Sequence, residues 1–174
     1  MEDLQVNVAQ LLKEHVGATR VVELDGPLLE LEDSAPAHVS GKLTLTRTDQ
    51  GVWVSGPVEI SADTDCSRCL VPFTLWLKVK VDEVYLPTVE VSTGAKLRYA
   101  DAQDVESLKI DDHHVIDLTE ALRQYRLAAM PMAPLCRPEC AGICPQCGTD
   151  RNEASCDCEP PIDARWAKLR ELLN

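Results

Sequence analysis

Between residues 39 and 82 the chain alternates apolar and polar side chains in three successive runs. In the first, Val39, Gly41, Leu43 and Leu45 fall on one side, with Ser40, Lys42, Thr44 and Thr46 on the other. After the turn TDQG (48–51), Val52, Val54, Val58 and Ile60 point one way, and Trp53, Ser55, Glu59 and Ser61 the other. The third run sets Phe73, Leu75, Leu77, Val79 and Val81 against Thr74, Trp76, Lys78, Lys80 and Asp82. A period of two sustained over such lengths marks half-buried strands, and short turns join neighbours antiparallel. The expectation is an antiparallel β-meander with one buried face. Gly56-Pro57 predicts a bulge or an edge position. Trp53 and Trp76 fall on the outer face, where terminal helices are expected to cover them.

The flanks are less regular. LQVNV (4–8) alternates weakly, AQLLKEHVG (9–17) suits a short helix stopped by Gly17, and TRVVELDGPLLELE (19–32) reads as extended segments broken by Gly26-Pro27. SAPA (34–37) is a connector. Residues 87–112 are mixed and polar, a loop with one short strand near Ser107–Ile110. DLTE (117–120) has the capping-box pattern, with Asp117 as cap and Glu120 reaching back. Leu118, Ala121, Leu122 and Tyr125 then form a helical stripe that Pro131 and Pro134 end. Asp163 caps a closing helix, DARWAKLRELLN, with Trp166, Leu169 and Leu173 on one face. The whole is an α+β fold: a meander sheet with a few flanking helices, a strand-rich domain over 1–134 and a cysteine-rich tail with a terminal helix over 135–174, packed as one unit.

A chain of 174 residues is long enough to bury a core without crosslinks. With aromatics at 4 % and a single Phe, that core must be aliphatic. The formal charge of −12, from 29 acidic and 17 basic residues, excludes general attraction to a phosphate backbone. No segment approaches a membrane span of about 18 apolar residues. The start, MEDLQVNVAQLLKEHVG, lacks the apolar core of a secretory signal, so a cytoplasmic location is expected. Thiols stay reduced there, which makes disulfides the weakest reading of the cysteines.

Six of the 8 cysteines lie in CRPECAGICPQCGTDRNEASCDC (136–158), the other two in CSRC (66–69). CPQCG is a knuckle pattern: two thiolates two residues apart can grip one ion, while Pro145 and Gly148 permit the tight turn. Cys156 and Cys158 form a second close pair a short loop away, and Cys144, Cys147, Cys156 and Cys158 together suit tetrahedral zinc. Cys66, Cys69, Cys136 and Cys140 could form a second zinc site. Other partitions stay open, such as Cys140 replacing a member of the tail set. A redox role for CSRC is disfavoured because a strand pattern follows it, whereas a reactive pair usually opens a helix. Four thiolates leave no position for a reacting water, and the chain has no P-loop, GxGxxG turn or GxSxG elbow. No enzyme and no small-molecule substrate are expected. His15, His38, His113 and His114 read as ordinary surface or packing residues.

The ordered motifs resemble a known family. They are C-x-R-C-L (Cys66, Arg68, Cys69, Leu70), Glu83-Val84-Tyr85, Ile116-Asp117-Leu118 before a helix, MP-x-x-P-x-C (Met130–Cys136), the knuckle, Asn152, the C-x-C pair, and Asp163-x-Arg165. From about residue 4 to the end the chain is similar to the YceD family, the large ribosomal RNA subunit accumulation proteins of bacteria and plastids. Ile143 stands where Leu is usual, and Asp150-Arg151-Asn152 replaces a more apolar x-Leu-Asn, which leaves the loop packing there open. The resemblance implies a non-enzymatic factor needed for the level or processing of 23S ribosomal RNA. It also implies zinc that supports the fold, because some members lack the cysteine-rich tail. The charge then points to a ribosomal protein or a large-subunit assembly factor as partner, with the ribosomal RNA precursor reached indirectly. The competing readings are a zinc-ribbon nucleic-acid-binding regulator and a thiol oxidoreductase using CSRC. The first is opposed by the tail itself, where Arg137 and Arg151 face Glu139, Asp150, Glu153 and Asp157.

Overall fold

The structure, a computed structural model, describes residues 4–28, 37–97 and 108–158. The expected connector around 34–36, Ser107 and the closing helix from Asp163 lie outside those residues.

Among the described residues seven strands form one sheet: β1 (Gln5–Asn7), β2 (Thr19–Leu28), β3 (Ala37–Arg47), β4 (Val52–Asp65), β5 (Pro72–Pro87), β6 (Lys109–Ile110) and β7 (Val115–Asp117). Their order is β1-β7-β6-β5-β4-β3-β2, so β2 to β5 make the expected meander. Beyond it the pattern changes. β6 pairs parallel to β5 through Leu86↔Lys109, β7 returns antiparallel, and β1 closes that edge antiparallel to β7. The α+β balance is met only in part. Among the described residues there are two helices, α1 (Ala9–Lys13) and α2 (Thr119–Ala129), and the sheet dominates. No helix of the described residues is long and apolar enough to cross a membrane.

Three local expectations are corrected. β2 runs unbroken through Gly26-Pro27, which pair with Val39 and His38. Proline is tolerated there because, among the described residues, β2 is the outermost strand and pairs on one side only. Gly56-Pro57 makes neither an edge nor an inserted residue. Gly41↔Val58 and Thr44↔Ser55 keep one register across it, and only the pairing between them is interrupted. Gly41 and Gly56 explain the interruption: a Cβ on Gly41 would meet the Pro57 carbonyl oxygen at 2.6 Å, and one on Gly56 that of Lys42 at 2.3 Å. The backbones close in where Pro57 has no N–H to give. At α2, the Asp117 carboxylate accepts the N–H of Thr119 (2.8 Å), but Glu120 does not reach back. It binds the Arg123 guanidinium at 2.8 and 2.7 Å, a two-point charged contact that outcompetes a single backbone donor.

The core is aliphatic as composition demands. Leu24, Leu28, Val39, Leu43, Leu45, Val52, Val54, Ile60 and Val81 from the meander meet Val8, Leu11, Ile110, Ile116, Leu118 and Leu122. Tyr85 is the one fully buried aromatic ring among the described residues. Trp53 and Trp76 lie on the solvent side, 37 % and 51 % exposed.

The chain divides into two compact units, one of Met1–Thr64 with Thr74–Met132, the other of Asp65–Phe73 with Ala133–Asn174. The connection from β4 to β5, which carries CSRC, thus belongs with the cysteine-rich tail. All eight cysteines lie in this second unit.

Candidate metal centres

The second unit builds the same turn twice. In CSRCLV the Cys66 N–H donates to the Val71 carbonyl (3.0 Å) and the Leu70 N–H to the Cys66 carbonyl (2.9 Å). In CPQCGT the Cys144 N–H donates to the Thr149 carbonyl (2.8 Å) and the Gly148 N–H to the Cys144 carbonyl (2.9 Å). The fifth residue of each turn has positive φ, 60° at Leu70 and 74° at Gly148. This is what lets two cysteines at i and i+3 turn their sulfurs toward one point while backbone N–H groups face those sulfurs.

Each turn is completed by two further cysteines. Cys66 and Cys69 gather with Cys136 and Cys140, and Cys144 and Cys147 gather with Cys156 and Cys158; within each group the four sulfurs lie within 4.8 Å of one another. Of the partitions open to the sequence, this one places Cys140 with the CSRC pair. The Cys66–Cys140 and Cys69–Cys136 sulfur separations are both 3.7 Å. A disulfide needs about 2.05 Å, and all eight cysteines are free. Four sulfurs about 2.3 Å from a central ion form a tetrahedron with edges of about 3.8 Å. The donor set and its spacing therefore fit a thiophilic ion with four sulfur ligands.

The electrostatics of the sulfurs are uneven. Cys66 is held down to about 6 by the backbone N–H of Cys136, then those of Cys69 and Arg68, against the opposing effect of burial. Cys144 is likewise held down to about 6 by the N–H groups of Cys147 and Gln146. The Thr149 hydroxyl, 3.1 Å away, lowers Cys147. Burial pushes Cys136 up to about 12, and the neighbouring Cys147 sulfur, together with burial, pushes Cys158 up to about 12. Each group thus has one sulfur primed as thiolate by backbone donors and one that keeps its proton until an ion displaces it.

The two groups differ in exposure. Cys66, Cys69 and Cys140 are buried, packed with Phe73 and Leu135. In the other group only Cys144 is buried, and Cys147 is exposed. Side chains beyond the cysteines complete the arrangement: the Asn152 amide sits 3.5 Å from the Cys140 sulfur and the Arg151 guanidinium 3.7 Å from that of Cys144. Such donors orient thiolates and spread their charge. Spacing rules do not reveal them, because one Asn and one Arg in a polar loop carry no periodic signal; only the family motif singles out Asn152. The four histidines stay outside both groups. Asp111, in the acidic pair 111–112, accepts the N–H groups of His113 and Val115 (3.0 and 2.7 Å), a turn-forming role.

Comparison with known proteins agrees with the motif reading. The profile of the family described as "Large ribosomal RNA subunit accumulation protein YceD" matches residues 54–173. An uncharacterized protein of Mycobacterium tuberculosis (strain H37Rv) is 30% identical over 179 aligned positions, covering 91% of this chain and 81% of its own length. One from Mycobacterium bovis gives the same figures. A protein of Mycobacterium leprae is 25% identical over 146 positions, covering 84% of this chain and 63% of its own length. No solved structure matches the chain.

Proposed function

Because the chain belongs to the YceD family of large ribosomal RNA subunit accumulation proteins, we propose that it is a non-enzymatic accessory factor of ribosome biogenesis. It acts in the cytoplasm and supports the accumulation or processing of 23S ribosomal RNA. The observation that carries its mode of action is the charge arrangement on the solvent side of the sheet. There Lys42 is tied to Glu23 (2.6 Å) and Lys78 to Glu59 (3.3 Å), while Asp25, Asp63 and Asp82 leave the surface acidic around Lys80. Lysines engaged by carboxylates have little left for phosphates, and the chain as a whole stands at −12. A basic protein segment complements such a face, with Trp53 and Trp76 as flat anchors for apolar stems and cations. The partner is a ribosomal protein or a large-subunit assembly factor, and the RNA precursor is reached through it.

Zinc fills both four-sulfur groups, held by Cys144, Cys147, Cys156 and Cys158 and by Cys66, Cys69, Cys136 and Cys140. A d¹⁰ ion closed in by four thiolates supplies folding energy and no reactive position. Native mass spectrometry is expected to show two zinc ions per chain, and a folded protein at its apo mass would contradict the assignment. Depleting the protein is expected to lower mature 23S RNA and 50S particles, and unchanged levels would overturn the functional reading. Affinity purification is expected to recover a basic ribosomal protein or an assembly factor. Steeply salt-dependent binding of the purified protein to duplex DNA would favour the nucleic-acid-binding regulator instead.

A further inference from the structure

Arg151 and Asn152 are adjacent, yet their side chains serve different four-sulfur groups. The Arg151 Nη2 approaches Cys144 Sγ at 3.7 Å, and the Asn152 Nδ2 approaches Cys140 Sγ at 3.5 Å. Asn152 belongs to the loop between Cys147 and Cys156, so the loop that closes one group delivers a donor to the other. The amide is fixed at both ends: its Oδ1 accepts the Ala141 N–H (2.8 Å), and its Nδ2 also donates to Asp150 Oδ1 (2.7 Å). The link is repeated from the opposite direction. Arg68, between Cys66 and Cys69, accepts the Ile143 N–H at its carbonyl (3.0 Å), one residue before Cys144. Its guanidinium donates to the Cys140 carbonyl (2.9 Å). Gly142 makes the approach possible, because a Cβ there would come 2.9 Å from the Arg68 carbonyl oxygen.

We propose that the two metal sites are energetically coupled, with Asn152 as the positioning residue between them. An ion in the Cys144 group fixes the loop that holds Asn152 against Cys140, and so raises the affinity of the Cys66 group; by linkage the effect is reciprocal. The inference rests on the reading of both groups as zinc sites. Partners of ligating atoms typically change metal affinity about 10–100-fold, which is ample for a measurable coupling.

The test uses the full chain, freed of zinc and titrated with zinc against a chromophoric chelator, with native mass spectrometry to count ions. The zinc affinity of the Cys66 group is compared in the wild type, in Asn152→Ala, in a Cys156→Ser/Cys158→Ser variant, and in the combination. Emptying the Cys144 group is expected to lower the affinity of the Cys66 group about fivefold or more. Asn152→Ala should lower it comparably in the wild type and add little where the Cys144 group is already disabled. An unchanged affinity in the cysteine variant, or equal losses from Asn152→Ala in both backgrounds, overturns the coupling. If the serine variant does not fold, the single-zinc fraction at limiting zinc decides: it is expected to rise in Asn152→Ala, and an unchanged fraction overturns the proposal. Folded wild-type protein that takes up no zinc overturns the metal reading instead.

Discussion

Leu70 and Gly148 hold the same position in two separate turns. Each is the fourth residue after the leading cysteine, each has positive φ (60° and 74°), and each donates its N–H to that cysteine's carbonyl at 2.9 Å. Only one of them is glycine. A side chain in the left-handed region costs roughly 1–2 kcal/mol, and Leu70 recovers little by burial, being 62 % exposed. Leu70→Gly is therefore expected to stabilise the protein by about 1 kcal/mol after the entropy cost of glycine. Gly148→Ala should destabilise it by a similar amount. Among the described residues no atom lies within 4 Å of the added Cβ, so the loss is conformational. Denaturant midpoints of the zinc-loaded variants measure both, and a loss of stability in Leu70→Gly would contradict the account.

That pair also shows what the sequence can and cannot reveal. CPQCG announces its turn because glycine marks the left-handed position. CSRCL builds the same turn with leucine there, so its shape is hidden by a residue that reads as part of the strand after it. The meander was legible from period two alone, because one face of it is packed and the other wet. The β5–β6 pairing was not, because a parallel strand of two residues carries no periodicity and is fixed by tertiary contact. Gly41 and Gly56 have a similar history. Their need is set by the opposite strand's backbone, which no local pattern encodes.

The unequal sulfurs give zinc binding a defined pH dependence. Cys66 and Cys144 are held down to about 6, whereas Cys136 and Cys158 stand near 12. Zinc takes thiolates, so between those limits loading must expel the protons of Cys136 and Cys158, and affinity rises with pH. Below about 6, Cys66 and Cys144 take up protons as well, and the fall in affinity steepens. Zinc release followed with a chromophoric chelator should be slight near pH 8 and extensive near about pH 5. A flat profile across that range would contradict the assignment of the ligands.

Gly41 and Gly56 lie opposite each other's strands, and either Cβ would strike a carbonyl oxygen at 2.6 or 2.3 Å. Backbone cannot move aside as a flexible side chain can. Gly41→Ala and Gly56→Ala are each expected to cost about 2–3 kcal/mol, well beyond the loss from Gly148→Ala. Thermal denaturation distinguishes them.

Tyr85 is fully buried, and its hydroxyl has no hydrogen-bond partner among the described residues. Burial, with the nearby Glu83 and Asp117, pushes its phenol up. A buried polar group without a partner costs about 1–3 kcal/mol. Tyr85→Phe keeps the ring and removes the hydroxyl, so stability should hold or rise by about 1 kcal/mol. A clear loss would show that the hydroxyl has a partner after all.

The proposed partner face can be separated from the metal sites by two substitutions. Trp53 donates its indole N–H to Asp82 (2.7 Å), and Trp76 meets His38 edge-on with ring centroids 6.2 Å apart. Both rings are held in place while remaining partly exposed, which is how an interface anchor avoids the entropy cost of being ordered on binding. Neither ring belongs to the buried core, so Trp53→Ala and Trp76→Ala should leave folding and zinc content intact. Each is expected to weaken recovery of the partner by about 2 kcal/mol, and the double variant should fail to restore 23S RNA in depleted cells. Val16→Ala, exposed in the turn between α1 and β2 and outside the sheet, serves as the control that keeps activity. Cysteine substitutions would also abolish activity, but through lost zinc and a disrupted second unit, visible as a change in mass and in circular dichroism. A double tryptophan variant that restores 23S RNA fully would move the contact surface off this face of the sheet.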